Sequence, residues 1–192
     1  MTPLSDALLE SVAAAAVREG LADAIYTRLN TPLGRVLMVQ GPEGLVRIAY
    51  EGEPEDRVLA EIVSALGPNV IGSDRELASE RDAISAYLEG DTTVLELPVD
   101  LRLTTAPFRH AVLEKLREVP RGQTVSYGEL AARAGNPKAA RAVGTACARN
   151  PIPIVVPCHR VLPGTGRLGN YGGGAERKRV LLELEGALPT AL

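Results

Sequence analysis

The stretch VVPCHRV, from Val155 to Val161, brings together residue types that can do nucleophilic chemistry. Cys158 is one of two cysteines in the 192-residue chain, and His159 is one of two histidines. A cysteine attacks as its thiolate, and because a free thiol titrates at about pH 8.5, it needs a base or a positive charge nearby. His159 and Arg160 supply candidates for these groups, so an activated thiol is one interpretation of the stretch.

The backbone of this stretch decides whether Cys158 and His159 can act together. The apolar run before them is typical of an extended strand, in which consecutive side chains point to opposite sides. Contact between the two side chains would therefore need a bend, which Pro157 favours, or a bridging water. A histidine base also needs a carboxylate to orient it, and the last predicted helix offers Glu183 and Glu185.

Two other interpretations of Cys158 stay open at this point. The first is a buried structural cysteine, which is what most cysteines are. The second is a zinc site with Cys147, Cys158, His110 and His159 as ligands, but no pair among these four residues has the usual ligand spacing.

The first half of the chain must supply a scaffold for these residues. Alternating apolar and polar residues over 24–50, with breaks at NTPLG and GPEG, predict strands. Residues 54–66 and 75–89 have helical spacing. The predicted fold class is α+β with two lobes. Residues 1–103 form an N-terminal lobe with a small antiparallel sheet and helices, and residues 104–192 form a mostly helical C-terminal domain.

The N-terminal segment indicates where the protein works. An amphipathic helix is predicted over about residues 3–20, and acidic residues interrupt it where a signal peptide would be apolar. The sequence has no apolar run long enough to span a bilayer. We therefore expect a cytoplasmic protein without membrane contacts, in which the two cysteines do not form a structural disulfide.

The second half contains a predicted helix-turn-helix. Ser126 and Glu129 have the spacing of a capping box, and Asn136-Pro137 predicts the N-cap and first residue of the next helix. Two short helices separated by AGN have the spacing of a helix-turn-helix, although an ordinary helical hairpin has the same spacing.

Charge and side-chain size give this second half a possible partner. Residues 121–179 contain ten Lys and Arg but two acidic residues, in a chain of net charge −3. Such a segment is either a footprint for a polyanion or a salt-bridged surface. The second helix has small side chains, which allow close approach of another helix or of a nucleic-acid groove. Six glycines in Gly164–Gly174 form a loop that can line the pocket of a flat ligand.

Several separated motifs carry a resemblance to a known family. PCHRV, preceded by SYGELAARAGNPKAARAVGTACARNPIPIVV and followed by GNYGGGAERKRVLLELEG, resembles the O6-alkylguanine-DNA alkyltransferases over about residues 105–186. The resemblance implies direct-reversal repair, in which an O6-alkylguanine is flipped out of duplex DNA and its alkyl group moves irreversibly to the protein's own cysteine. It implies a single turnover without a cofactor or metal, and it leaves O4-alkylthymine open as a further substrate.

The resemblance also implies a role for individual residues. Cys158 matches the alkyl acceptor, and His159 matches the base that deprotonates it through a water, with Glu185 orienting the imidazole. Tyr127 matches the tyrosine that donates a hydrogen bond to the departing base, and Arg141 matches the arginine finger that fills the space left by the flipped nucleotide.

Three further sets of residues follow from the same match. The DNA-binding set, on a helix expected in the minor groove, is Lys138, Ala140, Arg141, Ala142, Gly144 and Thr145. The substrate-pocket set is Tyr127, Pro153, Val161, Tyr171 and Gly172. Asn150 matches the hinge asparagine. At Gly172 some relatives have a serine, and Cys147 replaces a bulkier residue, so substrate preference stays open.

Two other functions remain as alternatives. A non-catalytic relative that binds alkylated lesions would lack the acceptor cysteine, so Cys158 argues against it. A helix-turn-helix regulator that reads sequence would need base-reading side chains where this helix has alanine and glycine. The expected partner is duplex DNA containing O6-alkylguanine, with a protein that is monomeric when free and for which cooperative binding on DNA stays open.

Overall fold

A computed structural model describes residues 5–164 and 167–188, and these fall into two compact units. The first unit runs up to Ala86 and takes in Leu97–Arg102, while the second is built from Tyr87–Glu96 and from Leu103 onward. Ten residues before the predicted boundary at 103 therefore pack with the second unit. The division into domains 1–103 and 104–192 stays a prediction.

The first unit combines a four-stranded sheet with helices. In chain order, its elements are α1 (Asp6–Arg18), β1 (Ala24–Thr31), β2 (Gly34–Gly41), β3 (Gly44–Tyr50), α2 (Glu55–Leu66), β4 (Val70–Gly72) and α3 (Ala78–Glu89), whose last residues belong to the second unit.

The strands predicted over residues 24–50 are β1, β2 and β3, which form an antiparallel meander. Their apolar side chains supply a core with Ile62 and Ile84. The short strand β4 adds to the other edge of β1 in parallel, so the sheet order is β3-β2-β1-β4 and the sheet is mixed. Three residues without turn signals carry too little pattern for β4 to be predicted.

The predicted helices of this unit form with small shifts of their ends. Ser5 caps α1 by accepting from the backbone N–H of Leu8, and residues 3 and 4 of the predicted helix lie outside the described residues. Helix α3 begins at Ala78, three residues later than predicted, because Ser73 Oγ accepts from the N–H of Glu76 and holds a turn there. Across residues 5–164 and 167–188, every helix is too short or too polar to span a bilayer.

The second unit is mostly helical, as predicted. Its further elements are α4 (Pro107–Arg117), β5 (Val125–Ser126), α5 (Tyr127–Arg133), α6 (Ala140–Ala148), a 3₁₀ turn (Cys158–Arg160), β6 (Val161–Leu162) and α7 (Ala175–Leu184). The two-residue strands β5 and β6 pair in parallel, Val125 with Val161 and Ser126 with Leu162. This pairing brings the start of α5 close to the end of the cysteine-containing turn.

The predicted helix-turn-helix corresponds to α5 and α6. The capping box is confirmed: Ser126 and Glu129 exchange side-chain to backbone hydrogen bonds at the start of α5. The predicted N-cap at Asn136 was wrong, because Asn136 closes a separate turn that accepts from the N–H groups of Lys138 and Ala139. Helix α6 begins only at Ala140, with Ala139 as its N-cap.

The predicted active-site strand is also wrong. Residues 151–157 form bends and turns, in which the N–H of Val156 donates to the carbonyl of Ile152, and the N–H of Cys158 donates to Val156. Ile154 has φ of 76°, which is a strained conformation for a β-branched residue. Contact between Cys158 and His159 was expected to need a bend in the backbone. The structure has such a bend, the 3₁₀ turn Cys158–Arg160.

Candidate active site

The Cys158 thiol lies at the base of the site and is 3% exposed. Burial raises the pKa of Cys158 to about 11, because the thiolate is poorly solvated there. A hydrogen bond from Asn150 and the charge of Lys178 oppose this rise. The thiol is therefore protonated at neutral pH, and a reaction through the thiolate needs a base.

Asn150 contacts the thiol directly as well as bracing the turn before it. Its Nδ2 donates to the carbonyl of Val156 at 2.7 Å and to Sγ of Cys158 at 3.1 Å. Its Oδ1 accepts from the N–H of Ile152 at 3.0 Å. These bonds span the bent segment from residue 150 to 158 and include a contact with the sulfur of Cys158. The hinge role stays a prediction.

His159 is paired with Glu185, and both side chains are fully buried. Nε2 of His159 lies 2.7 Å from Oε1 of Glu185, so this nitrogen carries the proton that the carboxylate accepts. The other nitrogen, Nδ1, is buried without a hydrogen-bond partner among the described residues. Burial lowers the pKa of His159, so the imidazole is neutral at pH 7 and Nδ1 has a free lone pair.

Glu185 is held by two further side chains, Arg160 and Tyr87, and the sequence did not reveal the second of them. Arg160 Nε donates to Oε2 at 2.9 Å, and its Nη2 donates to Oε1 at 3.0 Å. The hydroxyl of Tyr87, in the last turn of α3, donates to Oε1 at 2.5 Å. Burial alone would raise the pKa of Glu185, but the donors from His159, Arg160 and Tyr87 hold it well below its usual range.

Lys178 is a second residue that the sequence reading missed. Its side chain is fully buried in α7, and Nζ donates to the carbonyls of Val161 at 2.8 Å and Asn170 at 3.3 Å. No carboxylate pairs with Lys178 among the described residues. The available signal was helical spacing, because Lys178 precedes the buried Leu181 and Leu182 by three and four residues.

A cleft of about 740 Å³ opens above the thiol. It is lined by Tyr127, Ala140, Arg141, Gly144, Thr145, Cys147, Ala148, Cys158, Pro163, Gly169, Asn170, Tyr171 and Gly172. The structure thus brings together the predicted acceptor, the predicted tyrosine, the predicted arginine finger and four residues of the glycine-rich loop.

The walls of the cleft combine two tyrosines with small residues. Burial raises the pKa of Tyr127, so its hydroxyl keeps its proton at neutral pH. A Cβ added at Gly144 would come within 3.8 Å of the Tyr127 ring, so glycine there leaves the cleft open beside the tyrosine. The rings of Tyr171 and His159 are perpendicular to each other, with centroids 6.4 Å apart.

The other predicted pocket and DNA-binding residues lie apart from this cleft. The side chains of Pro153 and Val161 are buried in the second unit and do not line it, and the carbonyl of Val161 is occupied by Lys178. Their assignment to the pocket therefore gains no support. Lys138 and Ala142 are exposed on and before α6 without lining the cleft.

The basic segment divides into a buried and an exposed part. Arg160 and Lys178 are buried and serve the thiol site, so they add no charge to the surface. Lys138, Arg141 and Arg149 are exposed near α6, and within residues 5–164 and 167–188 none of these three forms an ion pair. These three exposed cations favour a binding surface for a polyanion over a salt-bridged surface.

Comparison with known proteins connects this geometry with a family. The family model described as the DNA-binding domain of 6-O-methylguanine DNA methyltransferase matches residues 107–187. A methylated-DNA–protein-cysteine methyltransferase of Mycobacterium tuberculosis is 51% identical over 104 residues, which are 54% of this chain and 62% of that protein. A protein of the same name from Mycolicibacterium paratuberculosis is 41% identical over 150 residues, covering 77% of this chain and 89% of the relative. The chain belongs to the methylated-DNA–protein-cysteine methyltransferase family.

A solved structure of this family supports the same conclusion for the fold. The Mycobacterium tuberculosis OGT in complex with DNA is 36% identical, has a TM-score of 0.72, and is matched over 85% of this chain and 93% of that chain. The resemblance seen in PCHRV and its flanking motifs is therefore confirmed, as is the α+β class with two lobes.

The zinc alternative gains no support from the geometry. Within the described parts of the chain, 5–164 and 167–188, no three His, Cys, Asp or Glu side chains are grouped as metal ligands would be.

Cys147 lines the cleft, and burial raises the pKa of its thiol to about 12, which makes it a poorer nucleophile than Cys158 at neutral pH.

The buried His159–Glu185 pair predicts a loss of stability in acid. Because the pKa of His159 is lowered in the folded protein, the unfolded chain takes up a proton first, and the free energy of unfolding falls as pH drops below about 6.5. The lowered pKa of Glu185 adds a second loss below about pH 4.3. Each unit of pKa difference corresponds to about 1.4 kcal/mol.

Urea unfolding between about pH 7.5 and 5.5 measures the first of these losses. In His159→Gln the free energy of unfolding should depend less on pH over this range. His110→Gln changes the other histidine, which is exposed, and should keep the wild-type slope of unfolding free energy against pH. Equal slopes in the two variants would show that His159 is not the titrating group.

Proposed function

We propose that the protein repairs alkylated DNA by direct reversal, moving the alkyl group of O6-alkylguanine in double-stranded DNA onto Cys158. The observation that carries this proposal is the thiol at the base of a cleft, beside a buried neutral imidazole held by a carboxylate. The cleft opens between α6, with its exposed cations, and the glycine-rich loop, so one nucleotide turned out of a duplex would reach the sulfur.

The first step is the removal of the thiol proton. Nδ1 of His159 is the nitrogen with a free lone pair, and it takes the proton of Cys158 through a bridging water. The imidazolium that forms keeps its Nε2–H on Glu185, which remains ionised because Arg160 also binds it. The charge of Lys178 stabilises the new thiolate.

The second step is an in-line displacement at the alkyl carbon. A bond forms between Sγ of Cys158 and the alkyl carbon while the bond from that carbon to O6 of guanine breaks. The electron pair of the broken bond remains on the guanine, which becomes neutral by taking up a proton from water, while the proton that the thiol gave to His159 returns to the solvent. Tyr127, whose hydroxyl keeps its proton at neutral pH, donates a hydrogen bond to the departing base and promotes this step.

The DNA is held by the face of α6. Its small residues allow close approach to the minor groove, which a bulky helix could not enter. Arg141, exposed at the edge of the cleft, enters the duplex and fills the space of the flipped nucleotide. Lys138 and Arg149 bind phosphates, so binding weakens as salt rises.

Further parts of the proposal follow from the chemistry. Because the thioether of Cys158 is not cleaved again, each molecule acts once and needs no cofactor. O4-alkylthymine carries the same alkyl-oxygen bond and is a second candidate substrate.

We expect the free protein to be monomeric and cytoplasmic. Cooperative binding along DNA would show in the shape of the binding isotherm.

The second candidate function is a relative that binds lesions without repairing them. The observation in its favour is the buried, protonated state of the thiol, which is unreactive without its base. The His159–Glu185 pair supplies that base, so repair explains more of the site.

Mass spectrometry of the intact protein separates these two functions. After incubation with an excess of O6-methylguanine duplex, one added methyl group on the peptide that carries Cys158, together with unmodified guanine in the DNA, is expected. Lesion-selective binding without any mass change would instead establish the lesion-binding function and overturn the transfer.

A further inference from the structure

Tyr87 is a buried residue whose hydroxyl is hydrogen-bonded within the candidate active site. It is 1% exposed, and it lies in the last turn of α3, outside the residues 107–187 that the family model matches. Its hydroxyl donates to Oε1 of Glu185 at 2.5 Å and accepts from Nη2 of Arg160 at 3.2 Å. A residue 98 positions earlier in the chain therefore binds the carboxylate that orients the base.

The oxygen that Tyr87 binds is the one that holds His159. Oε1 of Glu185 accepts from Tyr87, from Nε2 of His159 at 2.7 Å and from Nη2 of Arg160. Because the three donors share one oxygen, each reduces the negative charge that the other two experience. The Tyr87 hydroxyl thus limits how strongly the carboxylate can retain an imidazolium at His159.

The ring of Tyr87 is fixed independently of its hydroxyl. The guanidinium of Arg121 lies over the ring, 5.5 Å from its centroid, and Nη2 of Arg121 donates to the carbonyl of Leu184 at 2.6 Å, next to Glu185 in the chain. Removal of the hydroxyl alone would therefore leave the ring packed between α3 and the end of α7.

We propose that Tyr87 is a positioning residue for alkyl transfer, which holds Oε1 of Glu185 and keeps His159 neutral and ready to accept the thiol proton. The inference rests on the proposed function. It extends the catalytic unit to the segment Tyr87–Glu96, which packs with the second unit. A protein shortened to the residues that the family model matches would lack this hydroxyl.

The direction of the effect follows from the groups around His159. Arg160 acts on it from its own turn, Glu185 and Lys178 from α7 and its end, and Tyr171 lies next to it in the glycine-rich loop. Arg160 and Lys178 disfavour the imidazolium, and Glu185 favours it. Because the Tyr87 hydroxyl donates to the oxygen that holds Nε2 of His159, its loss leaves more negative charge facing the imidazolium, and protonation of His159 would begin at a higher pH.

Tyr87→Phe in the full chain tests the inference, and Tyr26→Phe is the matched control. Tyr26 lies on β1 in the first unit and has an arginine, Arg28, over its ring. Two rates are measured against pH for each protein: single-turnover transfer from an O6-methylguanine duplex, and carbamidomethylation of the Cys158 peptide by iodoacetamide.

We expect the acid limb of both profiles to move up by about half to one pH unit in Tyr87→Phe and to stay in place in Tyr26→Phe. On the acid limb the rate then falls about three- to tenfold, while the rate on the high-pH plateau changes little. If neither acid limb shifts in Tyr87→Phe, or if the rates fall equally at every pH, Tyr87 only stabilises the fold and the inference is overturned.

The two readouts also separate this inference from the proposed function. If the wild-type protein transfers no alkyl group but the iodoacetamide profile still shifts in Tyr87→Phe, the link from Tyr87 to the base stands and alkyl transfer is refuted. If transfer occurs and neither profile shifts, the proposed function stands and the role of Tyr87 is refuted.

Discussion

Cys158→Ala should abolish alkyl transfer and leave the affinity for alkylated duplex DNA within about threefold of wild type, a difference below about 0.7 kcal/mol. Transfer is lost because Sγ is the atom that forms the new bond, and the remaining side chain has no nucleophile. Binding should persist because the proposed DNA contacts come from α6 and from the exposed Arg141, and the sulfur is not among them. Mass spectrometry measures the transfer, and fluorescence anisotropy with a labelled duplex measures the binding.

Two further variants make this result specific. Cys147→Ala removes the other cysteine of the same cleft and should still accept one alkyl group. Arg141→Ala should do the opposite of Cys158→Ala and cost about 1–3 kcal/mol of binding to the duplex. Alkylation of Cys158→Ala on any residue would contradict the assignment of the acceptor, and loss of its binding would show that the thiol itself takes part in holding the lesion.

Local patterns were sufficient to predict much of the fold. The alternation over residues 24–50 and the capping box at Ser126 and Glu129 depend on neighbours in sequence, and both appear in the structure. The start of α6 was missed because Asn136 satisfies a turn of its own, and sequence does not distinguish that turn from a helix cap.

The candidate site was only partly predictable, because its contacts join distant parts of the chain. Cys158 and His159 were evident from their rarity and adjacency, but Tyr87 and Lys178 act through contacts with residues 98 and 17 positions away. The spacing of α7 likewise left Glu183 and Glu185 as equal candidates, and only the family resemblance selected Glu185. The structure separates them, since only Glu185 is buried against His159.

This pair of glutamates provides the second prediction, in which Glu185→Gln lowers the transfer rate by about 10²–10⁴-fold. A glutamine amide can present either an N–H or a carbonyl to Nε2 of His159, so the tautomer with a free Nδ1 is no longer enforced. The change also leaves the charge of Arg160 buried without its carboxylate, which should reduce the free energy of unfolding by about 3–5 kcal/mol. Single-turnover rates and urea unfolding measure the two effects.

Glu183→Gln, two residues earlier and half-buried, is the matched control and should change the rate by less than about threefold, as is usual for a side chain outside such a network. Glu185→Gln could lose activity simply by unfolding. Its rate is therefore measured without urea, at a temperature where its circular dichroism and its duplex binding equal those of wild type. A folded, DNA-binding Glu185→Gln protein that transfers at the wild-type rate would show that His159 needs no carboxylate. Equal losses in both glutamine variants would instead point to a general effect of charge in α7, since the two substitutions remove the same charge and only one breaks the contact with the base.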